Sequence, residues 1–219
     1  MLGLDKTTLA NKFYNDPIVV DAFSTRAWIY VSQAHTKKNL LLSILKNSTQ
    51  VTNPDDERSL VQEVRAYLTW KYLIVLDDVW APEHWDDIRD ALPNCRNGSR
   101  ILLTSRHELV GLHVNRLKKP NKLDFLTEDQ SWELLWIKAF GQRECPPDSQ
   151  DLIPPGQAIA RKCNCLPLAV VVIGGLLQTK NHKDEWETVA QSVNKQLVTD
   201  EPQQFLKMLD LSYDQLRLT

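Results

Sequence analysis

The sequence predicts an α/β fold, a parallel sheet flanked by helices, followed by a small all-helical domain. Three observations predict it. Apolar strand-like runs alternate with helical periods up to about residue 125, the pattern that builds βαβ units. Beyond that point helical periods continue with no further strand-like run. The third is the segment at 71–80, KYLIVLDDVW, apolar and β-branched along its length and ending in two adjacent carboxylates, Asp77 and Asp78. A run that apolar reads as a strand buried on both faces. The carboxyl edge of an open α/β sheet, where its acids would sit, is where ligands bind.

In chain order, Gly3-Leu4-Asp5-Lys6-Thr7-Thr8-Leu9-Ala10 reads like the second half of a phosphate-binding loop running into a helix. In the pattern GxxxxGK[ST], Lys6 would reach the β and γ phosphates, the Thr7 hydroxyl would bind Mg²⁺, and backbone amides at the helix start would cradle phosphate oxygens. Two parts of the pattern depart. Its first glycine would lie before Met1, and the glycine expected before Lys6 is Asp5. Asp brings a Cβ where unusual backbone angles are wanted. It also brings a charge that repels polyphosphate by roughly one to several kcal/mol.

Next come a short strand, Arg26 to Ser32, and a helix, Lys38 to Leu45, with Leu40, Leu41, Ile44 and Leu45 on one stripe. Asp55-Asp56-Glu57 puts acids in the first turn of a helix over Leu60 to Leu68. KYLIVLDDVW has the shape of a Walker B strand, whose carboxylates suit a hydrated Mg²⁺ bridging nucleotide phosphates. Standing alone, it equally suits a core strand whose acids merely open a loop. A phosphate-loop lysine about 70 residues upstream, the length that intervening strands and helices fill, favours the first reading. Trp85 to Leu92 reads as a short helix closed by Pro93 and the turn at Asn97-Gly98, and Ser99 to Thr104 as another buried strand ending at Ser105-Arg106.

After residue 126, Thr127 to Gln130 is a capping-box helix entry, continuing through Trp132, Leu135, Trp136 and Phe140. Pro146, Pro147, Pro154 and Pro155 are expected to punctuate the loop before a helix over Gly156 to Cys163. Leu166 to Leu177 and Glu185 to Gln196 are two further helices, and Gln203 to Leu216 begins another element.

Composition narrows the function classes. A chain of 219 residues, 42% hydrophobic and 25% charged with a formal charge of −2, has room for one or two globular domains and no bulk electrostatics for nucleic acid. Its longest apolar stretch, Leu166 to Leu177, is interrupted by Pro167 and two glycines and is too short for a bilayer. Neither a membrane span nor a secretory leader is expected. Cys95, Cys145, Cys163 and Cys165 match no zinc spacing and are expected as reduced thiols. The five histidines form no ligand spacing, and the seven tryptophans are expected in cores and between domains.

Taken together, Lys6-Thr7-Thr8, FSTRAWIYVSQ at 23–33, KYLIVLDDVW at 71–80, GSRILLTSR at 98–106, Leu123 to Phe140, CNCLPLA at 163–169 and LSYDQL at 211–216 resemble, in order, the NB-ARC nucleotide-binding module of plant NLR disease-resistance proteins, within the STAND class of P-loop NTPases. Trp80 is similar to the subclass with a coiled-coil N-terminal domain. The resemblance implies a P-loop NTPase domain at 1–125, a helical ARC1 domain at 126–200 and the start of an ARC2 winged-helix domain at 201–219. It implies that Gly3, Lys6, Thr7 and Thr8 contact ADP or ATP, that Thr7 and Asp77 hold Mg²⁺, and that Asp78 orients a water during hydrolysis. Arg106 is similar to the family's sensor arginine, and its guanidinium fork suits a γ-phosphate. Pro167 and Leu168, in the block usually written GLPL, would meet the adenine; Cys165 there replaces a glycine, a modest change if that backbone is helical.

The module so implied is a cytoplasmic switch that ADP holds closed and ATP opens. Its partners would be the receptor's own coiled-coil and leucine-rich repeat regions and, on activation, further copies. Because the strand leading into the P-loop belongs in the middle of such a sheet and would precede Met1, the reading expects a partial sequence with the first strand missing. Two other classes stay open: a nucleotide-free interaction module, favoured by Asp5, and a P-loop ATPase with real turnover. Arg106 would also suit a solvated loop, and Pro167 the start of a buried helix.

Overall fold

A computed structural model describes residues 5–31, 36–46, 56–94, 96–142 and 147–193. They divide into two compact units: Lys6–Lys122, and a second made of Asp5 with the described residues from Leu123 onward. The expected element at Gln203 to Leu216, the winged-helix start at 201–219, Gly3, Cys95 and Cys145 lie outside the described residues.

The first unit runs α1 (Lys6–Tyr14), α2 (Pro17–Ala22), β1 (Thr25–Tyr30), α3 (Lys37–Leu45), α4 (Glu57–Tyr67), β2 (Tyr72–Val79), α5 (Pro82–Arg89), β3 (Arg100–Ser105) and α6 (Glu108–Val114). The three strands form one parallel sheet in the order β1-β2-β3. All eight residues of β2 are buried. Because successive strand side chains point to opposite faces, helices must cover both sides of this central strand. Leu40, Leu41, Ile44 and Leu45 of α3 and Leu60 and Val64 of α4 join Ile74 and Leu76 in the core beneath it.

Local signals explain the element boundaries. The Asp56 carboxylate accepts from the Ser59 amide at 3.2 Å and caps α4, while Thr36 caps α3 through the Asn39 amide at 3.3 Å. Two short helices were not expected from periodicity, since each offers less than two full turns to a pattern count. For α2 a local signal exists: Asp16 caps it through the Ile18 amide at 2.9 Å and Pro17 takes its first position. For α6 no side-chain cap is present.

The second unit packs α7 (Glu128–Phe140), a 3₁₀ turn (Pro147–Leu152), α8 (Ile153–Lys162), α9 (Pro167–Leu177) and α10 (Lys183–Ser192) around its own core. Both halves of the Thr127 capping box form, with Gln130 N–H donating to Thr127 at 3.1 Å and Thr127 N–H to Gln130 at 2.9 Å. Pro154 and Pro155 are not in a loop, as expected from sequence, but in the first turn of α8, where a proline's missing N–H would have had no helical partner. The Cys163 thiol, at the carboxyl end of α8, is buried, and burial pushes its pKa up to about 12. The Cys165 backbone is not helical: its φ is 58°, and Asn164 before it has 48°. Left-handed backbone suits Asn and strains Cys, so replacing a glycine at Cys165 is a larger change than the sequence suggests.

Not every tryptophan is internal. Trp136 and Trp186 pack in the helical core with ring centroids 6.5 Å apart, whereas Trp70 is 73% exposed. Gly156 of α8 lies against this aromatic group, and a Cβ built there would fall 2.4 Å from Trp132 and 2.8 Å from Trp186. Gly156→Ala should therefore destabilise the helical unit by about 1–3 kcal/mol through overpacking. A urea unfolding midpoint unchanged from wild type would contradict it.

Candidate nucleotide site

The pairing of β2 with β3 runs in register from Leu73↔Arg100 to Leu76↔Leu103 and resumes at Val79↔Ser105. Asp77 and Asp78 thus stand together opposite the single residue Thr104, which is the two-against-one count of a β-bulge. Asp78 takes the left-handed φ of 58°, which Asp tolerates better than most residues. Without that turn the two carboxylates would alternate between opposite faces of the sheet.

Hydroxyls close the bulge. Thr104 Oγ1 accepts from the Asp78 amide at 2.9 Å and donates to Asp77 Oδ1 at 2.6 Å. Ser105 Oγ donates to the Val79 carbonyl at 2.6 Å and accepts from the His107 amide at 3.0 Å. From the other side, the Val31 amide donates to the Asp77 carbonyl at 2.8 Å. Backbone groups that the irregular ladder leaves unpaired find partners this way, as buried peptide groups must.

Helix α1 packs on β2 and β3 and brings two more residues to this edge. Thr7 Oγ1 donates to the same Asp77 Oδ1 at 3.0 Å. Asp77 is 1% exposed, so two hydroxyl donors offset part of its desolvation. Arg106 grips Asp78 with both arms of its fork, Nε to Oδ1 at 3.0 Å and Nη2 to Oδ2 at 3.1 Å. Its guanidinium lies 4.9 Å from the centroid of the Trp80 ring, and Trp80 in turn sits 6.1 Å from His107. Burial holds the Lys6 ammonium below its usual range, and the positive charge of Arg106 pushes it the same way, against the pull of Asp78 and Asp77.

The structure thus gathers Lys6, Thr7, Asp77, Asp78 and Arg106 in one unit. Thr8 is exposed on α1. Pro167 and Leu168 open α9 in the helical unit, both half-buried. Asp78 and Arg106, expected in separate tasks, are each other's partner. Thr104 carries no signal in the sequence, because its part depends on a strand register that no local pattern reveals, and the contact of Trp80 with Arg106 has none either. Asp5 has a φ of 50°, the conformation for which glycine is usual. Burial pushes its carboxyl up, with Lys138 pulling it the other way.

The donor set fits Mg²⁺, which holds several waters and takes only one or two carboxylates from a protein. Asp77 would supply such a carboxylate, and because Thr7 directs its proton onto it the Thr7 lone pairs would be left for a ligand. Among the described residues no three His, Cys, Asp or Glu side chains gather into a protein-only metal cage.

A parallel α/β sheet with a lysine-bearing helix start beside two strand-end carboxylates defines the P-loop NTPase class. Residues 1–145 match the NB-ARC domain family. The chain is 36% identical to "Disease resistance protein RPP13" of Arabidopsis thaliana over 225 residues, covering 99% of this chain and 27% of that protein. It is 38% identical to a putative late blight resistance protein homolog of Solanum demissum over 206 residues, 91% of this chain and 16% of that one. A second late blight resistance protein homolog of the same species is 39% identical over 199 residues, 88% of this chain and 25% of that protein. The chain belongs to the NB-ARC family of plant NLR disease-resistance proteins, and it spans roughly a sixth to a quarter of the length of these relatives. No helix among its described residues is long and apolar enough to cross a membrane.

Removing one partner of a carboxylate that is only 11% exposed at its side chain leaves a largely desolvated charge. Arg106→Ala should lower stability by about 1–3 kcal/mol, and Arg106→Lys, a point charge without the fork, should recover less than half of that. Full recovery by lysine in urea unfolding would show that the bidentate geometry is immaterial.

Proposed function

We propose that this chain is the nucleotide-gated switch module of a cytoplasmic immune receptor, binding ADP or ATP with Mg²⁺ and using slow hydrolysis as its reset. The observation that carries the proposal is the 3.0 Å hydrogen bond from Thr7 to Asp77, which joins the phosphate-loop helix to the strand-end acids. The mutual repulsion of Lys6 and Arg106 supports it, because a polyanion near both would relieve the repulsion. Thr7 and Asp77 would hold the Mg²⁺, which neutralises phosphate charge when bound.

Lys6 and the amides at the start of α1 serve as phosphate donors, and Gly3 and Thr8 enter as nucleotide contacts on the family resemblance. Arg106 has two competing acceptors of the same fork geometry, the Asp78 carboxylate and a γ-phosphate. In exchanging the first for the second it releases Asp78, whose carboxylate is then able to orient a water. Sensing and readiness for hydrolysis are thus one partner exchange. Pro167 and Leu168 enter the proposal as adenine contacts on the family resemblance, as do the domain divisions at 125 and 200, the coiled-coil and leucine-rich repeat partners, and self-association on activation.

Asp5 favours a second reading, a nucleotide-free regulatory module. Calorimetric titration of the chain with ADP and Mg²⁺ separates the two: measurable binding that Lys6→Ala weakens at least tenfold supports the switch, and none supports the second. Rapid steady-state phosphate release from ATP would instead indicate a turnover enzyme.

The Asp5 carboxyl, already pushed up by burial, would rise further beside a polyphosphate. Bound protein therefore holds more protons than free protein, and binding strengthens as pH falls toward the free-state value of Asp5. The ADP affinity of wild type should gain on that of Asp5→Asn between pH 7.5 and 5.5, and Asp5→Asn and Asp5→Gly should both bind about tenfold tighter at pH 7.5. Parallel pH profiles for wild type and Asp5→Asn would refute a charge effect.

A further inference from the structure

Thr104 takes part in neither half of the proposed exchange, yet it touches both acids. The Asp77 carboxylate requires a donor and the Asp78 amide requires an acceptor. A hydroxyl, with one proton and two lone pairs, serves both at once from a single atom. The direction of each bond is fixed: Thr104 Oγ1 gives its proton to Asp77 Oδ1 at 2.6 Å and receives that of the Asp78 amide at 2.9 Å. The residue is 9% exposed and stands where the β2–β3 register slips, so its side chain replaces the ladder bond the bulge removes.

Resting on the nucleotide reading above, we infer that Thr104 is the positioning residue of the site. Its hydroxyl sets the rotation of Asp77 that presents Oδ1 to Thr7, and it pins Asp78 in the left-handed backbone from which that carboxylate meets Arg106. One side chain on β3 thereby ties the metal-side acid to the arginine-side acid. It acts through these two residues and makes no ligand contact of its own.

The test compares Thr104→Val, which keeps the shape and loses the hydroxyl, with Thr104→Ser, which keeps the hydroxyl, both in the full 219-residue chain. Two readouts are taken: hydrogen exchange at the Asp78 amide, and the ratio of ADP affinities with Mg²⁺ and with chelator. Thr104→Val should lose at least tenfold in protection at that amide, and its Mg²⁺-dependent gain in affinity should drop about tenfold while chelator-only affinity stays within twofold. Thr104→Ser should retain both. If Thr104→Val melts below the assay temperature, Thr104→Cys, similar in size with a weak donor, replaces it. Retention of both readouts by Thr104→Val overturns the inference, as does equal loss by Thr104→Ser, which would make the role one of packing. If wild type binds no ADP, the nucleotide reading falls instead, and the exchange readout alone decides whether Thr104 holds the two acids in place.

Discussion

One buried carboxylate oxygen organises this end of the α/β unit. Asp77 Oδ1 receives the hydroxyls of Thr7 on α1 and Thr104 on β3, so three elements distant in sequence meet at one atom. A carboxylate that is 1% exposed is costly unless hydrogen-bonded, and both donors come from side chains that the fold must bring to it. The apolar run of β2 drives the sheet together without regard to direction or register. This polar contact adds the geometric requirement: α1 must cross the sheet at its carboxyl edge, and β3 must slip by one residue at Thr104 for both acids to reach that edge.

Charge is distributed around that point with little slack. Two cations, Lys6 and Arg106, face two acids: Asp77 accepts from the hydroxyls of Thr7 and Thr104, and Asp78 takes both arms of Arg106. Trp80 backs the guanidinium with an aromatic face, restricting where it can move. A planar fork held on an indole and bonded through two nitrogens to one carboxylate is fixed in orientation, as a fully solvated arginine would not be.

The large features were legible in the chain because they rest on burial and local capping. KYLIVLDDVW announced a strand buried on both faces, Thr127 and Gln130 announced a helix entry, and Asp56 another; each signal lies within a few residues. What the sequence hid depends on relations across the sheet. Thr104 looks like an ordinary β-branched strand residue until the register sets it opposite both acids. The pairing of Asp78 with Arg106 spans 28 positions and two strand ends. The helical start at Pro154 is ambiguous in sequence because proline signals both a loop and a first helical turn, and Ile159 and Ala160 behind it are buried in the helical core.

Two helix entries share an unusual backbone. Asp5 precedes α1 at φ 50°, and Cys165 stands two residues before Pro167 at φ 58°, both positions where glycine would be free of strain. The side chains there differ in what they add. At Cys165 the cost is that of a β-carbon in the left-handed region. At Asp5 the residue type is among those that tolerate the conformation better than most, so the β-carbon costs less there and the carboxylate adds a charge. Strain that persists in a fold is held there by its surroundings, and the residue before Lys6 keeps a left-handed φ of 50° with an aspartate in place. The Thr7 hydrogen bond to Asp77 holds the start of α1 against the strand-end acids whatever residue precedes Lys6.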